Sequence, residues 1–229
     1  MDYLAFLSHI TAIPGTSGYE QQAAGEFARA FAPYCDSVSV DEMGSVVAIQ
    51  RANSGRQGPR VMLCAHIDEI GLMTTGVEED GSVRLMSMGV AAQTLPAQEV
   101  TILAKDGPIY GVIGATPPHL TSGAERDAVT PADKLFIDTG LAPETVKRLV
   151  PAGTPVQLTG RTTALLHGHV ASKTLDDRAC AAILLACAEQ MKRRIHDAEV
   201  VYVLSVQEER GCLGAITGTE RLSKVRAFL

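Results

Sequence analysis

Three short segments of the sequence carry the residue types that bind divalent metal ions. All three contain acidic side chains, and the first also contains a histidine. Imidazole and carboxylate groups are ligands that suit Zn²⁺, Co²⁺ or Mn²⁺, so the three segments together predict a metal site. The residues concerned are His66 and Asp68 in AHIDE, Asp176 and Asp177 in LDDR, and Glu208 and Glu209 in QEER.

The first segment pairs a histidine with a carboxylate two residues later. On a β-strand, His66 and Asp68 would point to the same face. A histidine that binds a metal commonly has its other ring nitrogen held by a carboxylate, which fixes the tautomer and the ring orientation. His66 is therefore predicted to be a ligand and Asp68 to orient it. The alternative is a histidine at a strand end that is paired for structural reasons alone.

The other two segments consist of adjacent carboxylates. Asp176 and Asp177 open an apolar-rich helical stretch, where acidic residues also serve as helix caps, so a capping role is the alternative. Glu208 and Glu209 directly follow the apolar run VVYVLS. Successive strand side chains diverge, so one glutamate could bind a metal while the other accepts a proton from the attacking water.

The elements that must position these residues have the pattern of an α/β domain. The runs VMLCAH and AEVVYVLS predict buried strands, and LDDRACAAILLACAEQMKRR predicts a helix. Ligand sites in open α/β sheets form at the carboxyl ends of strands. We therefore expect the three segments to converge at one edge of the sheet.

The remaining elements divide the chain into three segments. A helix is expected near residues 2–13, a second helix with Ser17 and Glu20 at capping-box spacing, and a hairpin that turns at Met43-Gly44. From about residue 74 to 165, short apolar runs alternate with Gly, Pro and Asp, which is typical of a small β domain. The predicted domains are residues 1–73 and 166–229, which form one α/β domain, and the β-rich insert 74–165.

Composition excludes several classes of partner. The formal charge of −6 and the absence of a basic patch argue against nucleic acid and anionic membranes. The N-terminal residues lack the basic region of a secretory signal. Five scattered cysteines without CxxC pairs indicate reduced thiols and a cytoplasmic protein.

The three segments resemble those of the cytosolic metallo-aminopeptidases that assemble as tetrahedral dodecamers, the glutamyl and deblocking aminopeptidases, some of which are called endoglucanases. CAHIDEIGLM, SKTLDDRACAAILL and SVQEERGCLGA look like that family's metal, bridging-aspartate and catalytic-glutamate motifs. GTSGYEQQAA, DEMGSVVA and DKLFIDTGLAPETVKRLVPAGTPV are also similar. The resemblance covers nearly the whole chain up to about Ala215.

The resemblance implies a role for each of these residues and an architecture. His66 would bind one of two metal ions (Zn²⁺ or Co²⁺), Asp176 would bridge both, and Glu209 would bind the second. Glu208 would be the general base, with Asp68 supporting His66. The fold would be a metallopeptidase-type α/β sandwich, incomplete at its C-terminus, interrupted by a small PDZ-like or β-barrel dimerisation insert. The substrates would be short peptides, and the chain would self-associate.

The family pattern continues beyond Leu229 with a further Asp ligand and a final His ligand. A frameshift, a premature stop or a boundary chosen for expression would each explain the ending, and weak metal binding with poor peptide hydrolysis is expected of this chain. Two other functions remain open. One is an endoglucanase-type glycoside hydrolase, which needs two carboxylates flanking the scissile bond rather than a His–Asp cluster. The other is a non-catalytic fragment that only assembles.

Overall fold

A computed structural model describes residues 2–117, 120, 128–221 and 226–228, without the side chains of 221 and 226–228. The described chain divides into two units. The first unit comprises the residues up to 69 and from 160 onward, and the second comprises residues 70–159. The changeovers therefore fall a few residues before those expected at 74 and 166. The assignment of residues 74–165 as a dimerisation domain stays a prediction.

The first unit is built on a five-stranded mixed sheet. Its strands are β1 (Ser37–Val40), β2 (Val46–Gln50), β3 (Arg60–His66), β12 (Glu199–Ser205) and β13 (Arg226–Phe228). Their order in the sheet is β1-β2-β12-β3-β13, with β12 parallel to β3 and antiparallel to β2, and β13 parallel to β3. A separate two-stranded ladder pairs β10 (Thr163–Ala164) with β11 (Val170–Ala171).

The central strand β12 is apolar because it is covered on both faces. Val200, Tyr202 and Leu204 pack into the main core, and Val201 and Val203 pack on the opposite face with Met62. A strand buried on both faces has a continuous apolar sequence rather than an alternating one. The prediction of a buried strand here is confirmed.

Four described helices belong to this unit, and three of them enclose its main core. They are α1 (Tyr3–Ala12), α2 (Gln21–Phe31), α4 (Leu175–Met191) and α5 (Leu213–Arg221). The core gathers buried residues of α1, α2 and α4, including Ile10, Phe27 and Leu185, against the sheet. α1 begins where expected, with Asp2 accepting a hydrogen bond from the Ala5 amide at 3.1 Å as its N-cap.

The hairpin expected at Met43-Gly44 is confirmed. β1 and β2 pair antiparallel, from Ser37 opposite Ile49 to Val40 opposite Val46. The Asp41 Oδ1 atom accepts hydrogen bonds from the amides of Met43, Gly44 and Ser45, each at 2.9 Å. This aspartate therefore supplies the acceptors that the turn backbone needs.

The predicted capping box of the second helix is wrong in its details. Glu20 is itself the N-cap residue of α2, and its side chain makes no capping hydrogen bond. The Ser17 hydroxyl is buried next to the Asp68 carboxylate, whose pKa it helps to lower, and does not cap the helix. Glu20 is only 3% exposed, so its carboxylate is buried for another reason, which is taken up below.

The second unit is a closed six-stranded barrel. Its strands are β4 (Gly71–Val77), β5 (Val83–Met88), β6 (Glu99–Ala104), β7 (Gly107–Gly114), β8 (Phe136–Asp138) and β9 (Pro155–Leu158). They follow one another around the barrel in the order β4-β5-β8-β7-β6-β9. The barrel interior is filled by aliphatic side chains, among them Leu85, Ile102 and Ile137. The helix expected at APETVKRLV is present as α3 (Pro143–Leu149). Among the described residues, no helix has both the length and the apolar character needed to cross a bilayer.

Candidate metal centre

The parallel pairing of β3 and β12 brings two of the predicted segments to the same edge of the sheet. His66, the last residue of β3, pairs with Ser205, the last residue of β12. The chain then continues from Ser205 to Glu208 and Glu209. Both segments therefore emerge side by side at the carboxyl end of the central strands.

His66 is the residue that the other segments surround. Its ring is buried, and Nε2 lies 3.1 Å from Oδ1 of Asp176 and 3.8 Å from Oε2 of Glu208. On the other side of the ring, Nδ1 lies 3.2 Å from the Asp68 carbonyl oxygen and 3.4 Å from Asp68 Oδ1. One ring nitrogen thus faces Asp68 and the other faces the carboxylates of the two remaining segments.

Asp68 has a second set of contacts that the sequence did not indicate. It lies two residues beyond the end of β3, so the expected same-face geometry of a strand does not apply to it. Its side chain is fully buried. Oδ1 accepts a hydrogen bond from the Glu208 amide at 3.0 Å, and Oδ2 accepts one from the Glu209 amide at 3.1 Å. Asp68 therefore fixes both the histidine and the backbone of the glutamate pair.

Asp176 and Asp177 lie at the start of α4 but outside helical geometry. Their backbone angles are non-helical, and the peptide bond between them is cis. The helix is assigned from Leu175 with Thr174 as its N-cap, but regular helical backbone begins only after Asp177, so a capping role for Asp177 stays an alternative. The Asp176 side chain is 91% exposed while its Oδ1 contacts His66. This carboxylate is open to solvent on the side away from the histidine.

Glu208 and Glu209 lie on a short 3₁₀ turn, not on a strand. Gln207 before them has a left-handed backbone with φ of 54°, and the turn spans Glu208–Arg210. The assumption that their side chains diverge because they continue a strand is therefore wrong. Glu208 is half-buried, and its Oε1 accepts a hydrogen bond from the Cys212 thiol at 3.2 Å, while Glu209 is exposed.

The proximity of these groups changes their pKa values. Burial lowers the pKa of His66, but the hydrogen bond and charge of Asp68, with Asp176 and Glu208, outweigh it and raise that pKa to about 9. Burial raises the pKa of Asp68, but its hydrogen bonds from His66 and the two amides leave it below the ordinary value. Burial and the neighbouring carboxylates raise the pKa of Glu209. The raised pKa means that the carboxylates facing His66 favour the protonated form of its imidazole.

The donor atoms fit a divalent metal ion in kind and spacing. One ligand atom each from His66, Glu208 and Glu209 lie within 4.8 Å of one another, the one such group of three in the part of the chain that the structure describes. Tetrahedral coordination with bonds of about 2.0–2.2 Å places neighbouring ligand atoms about 3.3–3.6 Å apart. The 3.8 Å between His66 Nε2 and Glu208 Oε2 is close to that range, whereas Asp176, 3.1 Å from Nε2, lies outside this group of three. Because the group includes Glu208, the geometry leaves open which glutamate binds and which acts as base.

Glu69 and Arg178 are buried charged residues next to the predicted segments that the sequence analysis did not select. Arg178 is fully buried, donates to the carbonyl oxygens of Ile10, Ile13 and Ile67, and is attracted by buried carboxylates, first that of Glu69. The Oε2 atom of Glu69 accepts hydrogen bonds from Lys173 Nζ at 2.6 Å and Thr174 Oγ1 at 2.7 Å. Their positions in the sequence could have indicated a role at the centre, since Glu69 follows Asp68 and Arg178 follows Asp177.

Comparison with known proteins agrees with this arrangement. The family model of the M42 glutamyl aminopeptidases matches residues 44–228. Among curated proteins, the lysyl aminopeptidase of Pyrococcus furiosus is 33% identical over 207 residues, which cover 88% of this chain and 58% of that protein. The chain thus spans little more than half the length of this relative.

Solved structures are similar over almost the whole chain. The TET aminopeptidase of the marine sediment archaeon Thaumarchaeota archaeon SCGC AB-539-E09 superposes with a TM-score of 0.92 at 27% identity, over 99% of this chain and 65% of that one. The TET1 peptidase of Pyrococcus horikoshii, which can assemble into a tetrahedron or a large octahedral shell, gives 0.82 at 30% identity, over 99% and 68%. The family model covers residues 44–228, which are most of this chain. The chain therefore belongs to the M42 glutamyl aminopeptidase family.

Proposed function

We propose that this protein takes part in metal-dependent removal of N-terminal residues from short peptides, with Zn²⁺ or Co²⁺ held at the candidate metal centre. The observation that carries the proposal is the convergence of His66 Nε2 with the carboxylates of Asp176 and Glu208 at the end of the central strands. Family membership supports the reaction class. Because the chain spans only part of its relatives' length, the activity of those whole relatives comes to this chain as a proposal.

The metal-binding roles follow from the side chains and from the resemblance. His66, Asp176 and Glu209 would hold the metal ions. Such ions polarise a scissile carbonyl and lower the pKa of water. Asp68 faces Nδ1 of His66, and with a proton held on that nitrogen a metal ion could replace the proton that Nε2 shares with Asp176. Asp68 thus keeps the imidazole in the tautomer that a ligand needs.

Glu208 would act as the general base. Its side chain is half-buried, so its carboxylate remains accessible to water at the centre. It would take a proton from the attacking water and deliver it to the nitrogen of the leaving group, which balances the hydrolysis. The concentration of carboxylates around His66 also suits a substrate with a protonated amino terminus. A selectivity for free N-terminal amines is therefore part of the proposal.

Self-association and a cytoplasmic location are also part of the proposal. The assemblies named for Pyrococcus horikoshii TET1 support self-association, and the six-stranded barrel is the part of this chain that the resemblance assigns to it. Sedimentation velocity of the purified chain tests this. A single monomeric species across the micromolar range would contradict it.

Hydrolysis of aminoacyl anilides tests the proposed activity. This chain is expected to turn over slowly, but metal-supplemented protein should still release the anilide from substrates with a free amine, because the cluster is acidic, and leave their N-acetylated counterparts intact. A chelator should abolish turnover, and added Zn²⁺ or Co²⁺ should restore it. Turnover that persists in chelator, or that is equal on the acetylated substrates, would contradict the proposal. Release of sugar from a β-glucan would favour the glycosidase alternative instead.

A further inference from the structure

Glu20 is a buried carboxylate at the edge of the candidate metal centre. Its Oε1 atom accepts hydrogen bonds from the Gly18 amide at 2.7 Å and from the Gln207 amide at 3.1 Å. The second contact joins residues 187 positions apart in the chain. It links the loop before α2 directly to the turn that carries Glu208 and Glu209.

A local explanation for Glu20 does not suffice. A glutamate at the start of a helix usually contributes to capping, yet the Glu20 side chain makes no capping hydrogen bond with α2. Burial raises the pKa of Glu20, which shows that its environment costs the ionised carboxylate free energy. A glutamate serving only as a helix-terminus charge would lie in solvent, where it avoids that cost.

The contact with Gln207 completes a pattern along the turn. Three consecutive amides, those of Gln207, Glu208 and Glu209, donate to two buried carboxylates, the first to Glu20 and the next two to Asp68. Gln207 is also the residue with the left-handed backbone that starts the turn. A left-handed backbone is uncommon for residues other than glycine and persists where the surroundings hold it. The Glu20 contact falls at the residue that sets the direction of the turn.

We propose that Glu20 is a positioning residue for the candidate metal centre, which holds the amide of Gln207 and thereby directs the side chains of Glu208 and Glu209 toward His66. The first statement, that Glu20 affects metal binding, rests on the proposed function. The second statement, that Glu20 restrains the turn, follows from its hydrogen bonds alone. The two statements can therefore be tested separately.

Three variants form the test. Glu20→Ala removes the acceptor, and Glu20→Gln keeps an acceptor oxygen of the same reach without the charge. The matched control is Gln50→Ala at the opposite end of the sheet. Gln50 is 3% exposed, like Glu20. Its Nε2 donates hydrogen bonds to the Tyr34 and Ala188 carbonyl oxygens, and its Oε1 accepts one from the Tyr202 hydroxyl. It pairs with Val200 at the start of β12, so its loss weakens the same unit away from the centre.

The readouts are hydrogen exchange of the amides 207–209, relative to those of β12, and Co²⁺ binding by absorption titration. With Glu20→Ala we expect at least about tenfold faster relative exchange at Gln207 and Co²⁺ binding weakened by roughly 10- to 100-fold, as for other residues that orient metal ligands. Glu20→Gln should fall between this variant and wild type. Gln50→Ala should lower thermal stability while leaving both readouts at wild-type values.

Each outcome decides one of the two statements. If Glu20→Ala resembles Gln50→Ala in exchange and in Co²⁺ binding, the positioning role is overturned. If wild-type protein binds no Co²⁺ but Glu20→Ala still accelerates exchange at Gln207, the proposed metal function fails and the restraint of the turn stands. Should Glu20→Ala not fold, Glu20→Gln decides, because unchanged exchange at Gln207 in that variant would overturn the proposal.

Discussion

Replacing Asp68 by asparagine is expected to weaken both the fold and metal binding more than any other conservative change in the centre. Asp68 uses one oxygen for the Glu208 amide and the other for the Glu209 amide, and it is fully buried. An asparagine has one carbonyl oxygen and one NH₂ group, so in either orientation one backbone N–H faces another donor. A buried donor without a partner costs about 1–3 kcal/mol. Loss of the charge that faces His66 adds to this cost.

We therefore expect the free energy of unfolding of Asp68→Asn to fall by about 2–4 kcal/mol. Co²⁺ affinity should fall by roughly 10- to 100-fold, since the histidine and the glutamate turn both lose their support. Denaturant unfolding and Co²⁺ titration measure the two effects. Asp36→Asn is the control in the same unit, because the exposed Asp36 uses Oδ2 for the Arg51 amide and an asparagine keeps one oxygen with its NH₂ group open to water. Equal losses in the two variants would show that Asp68 has no special role.

Replacing Glu208 by glutamine should give the largest loss of rate without a loss of metal. The proposed task of Glu208 is to accept a proton, which glutamine cannot do, and removal of a general base typically lowers turnover by about 10²–10⁴-fold. Its half-buried side chain can keep the hydrogen bond from Cys212 through the amide oxygen. We therefore expect the free energy of unfolding to change by less than about 1 kcal/mol and Co²⁺ affinity to remain near that of wild type.

Glu209→Gln is the comparison that separates the two glutamates. Both backbones are held by Asp68, so the variants differ in side-chain role rather than in the support of the turn. Glu209→Gln should weaken Co²⁺ binding, and its turnover should recover partly at high metal concentration. The turnover of Glu208→Gln should not recover. The reverse pattern, with affinity lost at Glu208 and rate lost at Glu209, would contradict the proposed division of roles.

The sequence could predict the elements and the place of the centre because both depend on local pattern. The apolar run of β12 indicates a strand covered on both faces, and the carboxyl ends of neighbouring parallel strands lie at one edge of a sheet. His66 and Glu208 follow such runs, so their convergence follows from the architecture. The hairpin at Met43-Gly44 was equally local, since its turn is made by Asp41 with the next four residues.

The supporting residues could not be predicted because their contacts depend on the assembled fold. Glu20 stands at capping-box spacing, which is a sufficient local explanation until the structure shows its carboxylate on the amide of Gln207. Arg178 follows two aspartates at a helix start, a pattern typical of a solvent-exposed first turn, yet it is fully buried. The 3₁₀ turn at Glu208–Arg210 was mistaken for a strand continuation because the left-handed residue before it is a glutamine rather than a glycine.

An anomalous difference map from crystals grown with Zn²⁺, recorded at the zinc absorption edge, tests the central claim most directly. The claim is that His66 and the surrounding carboxylates form a divalent metal site. The predicted result is a peak about 2.0–2.2 Å from His66 Nε2 and from carboxylate oxygens of Asp176 or the glutamate pair. Peaks that lie only elsewhere on the protein, with none within bonding distance of His66, would contradict it.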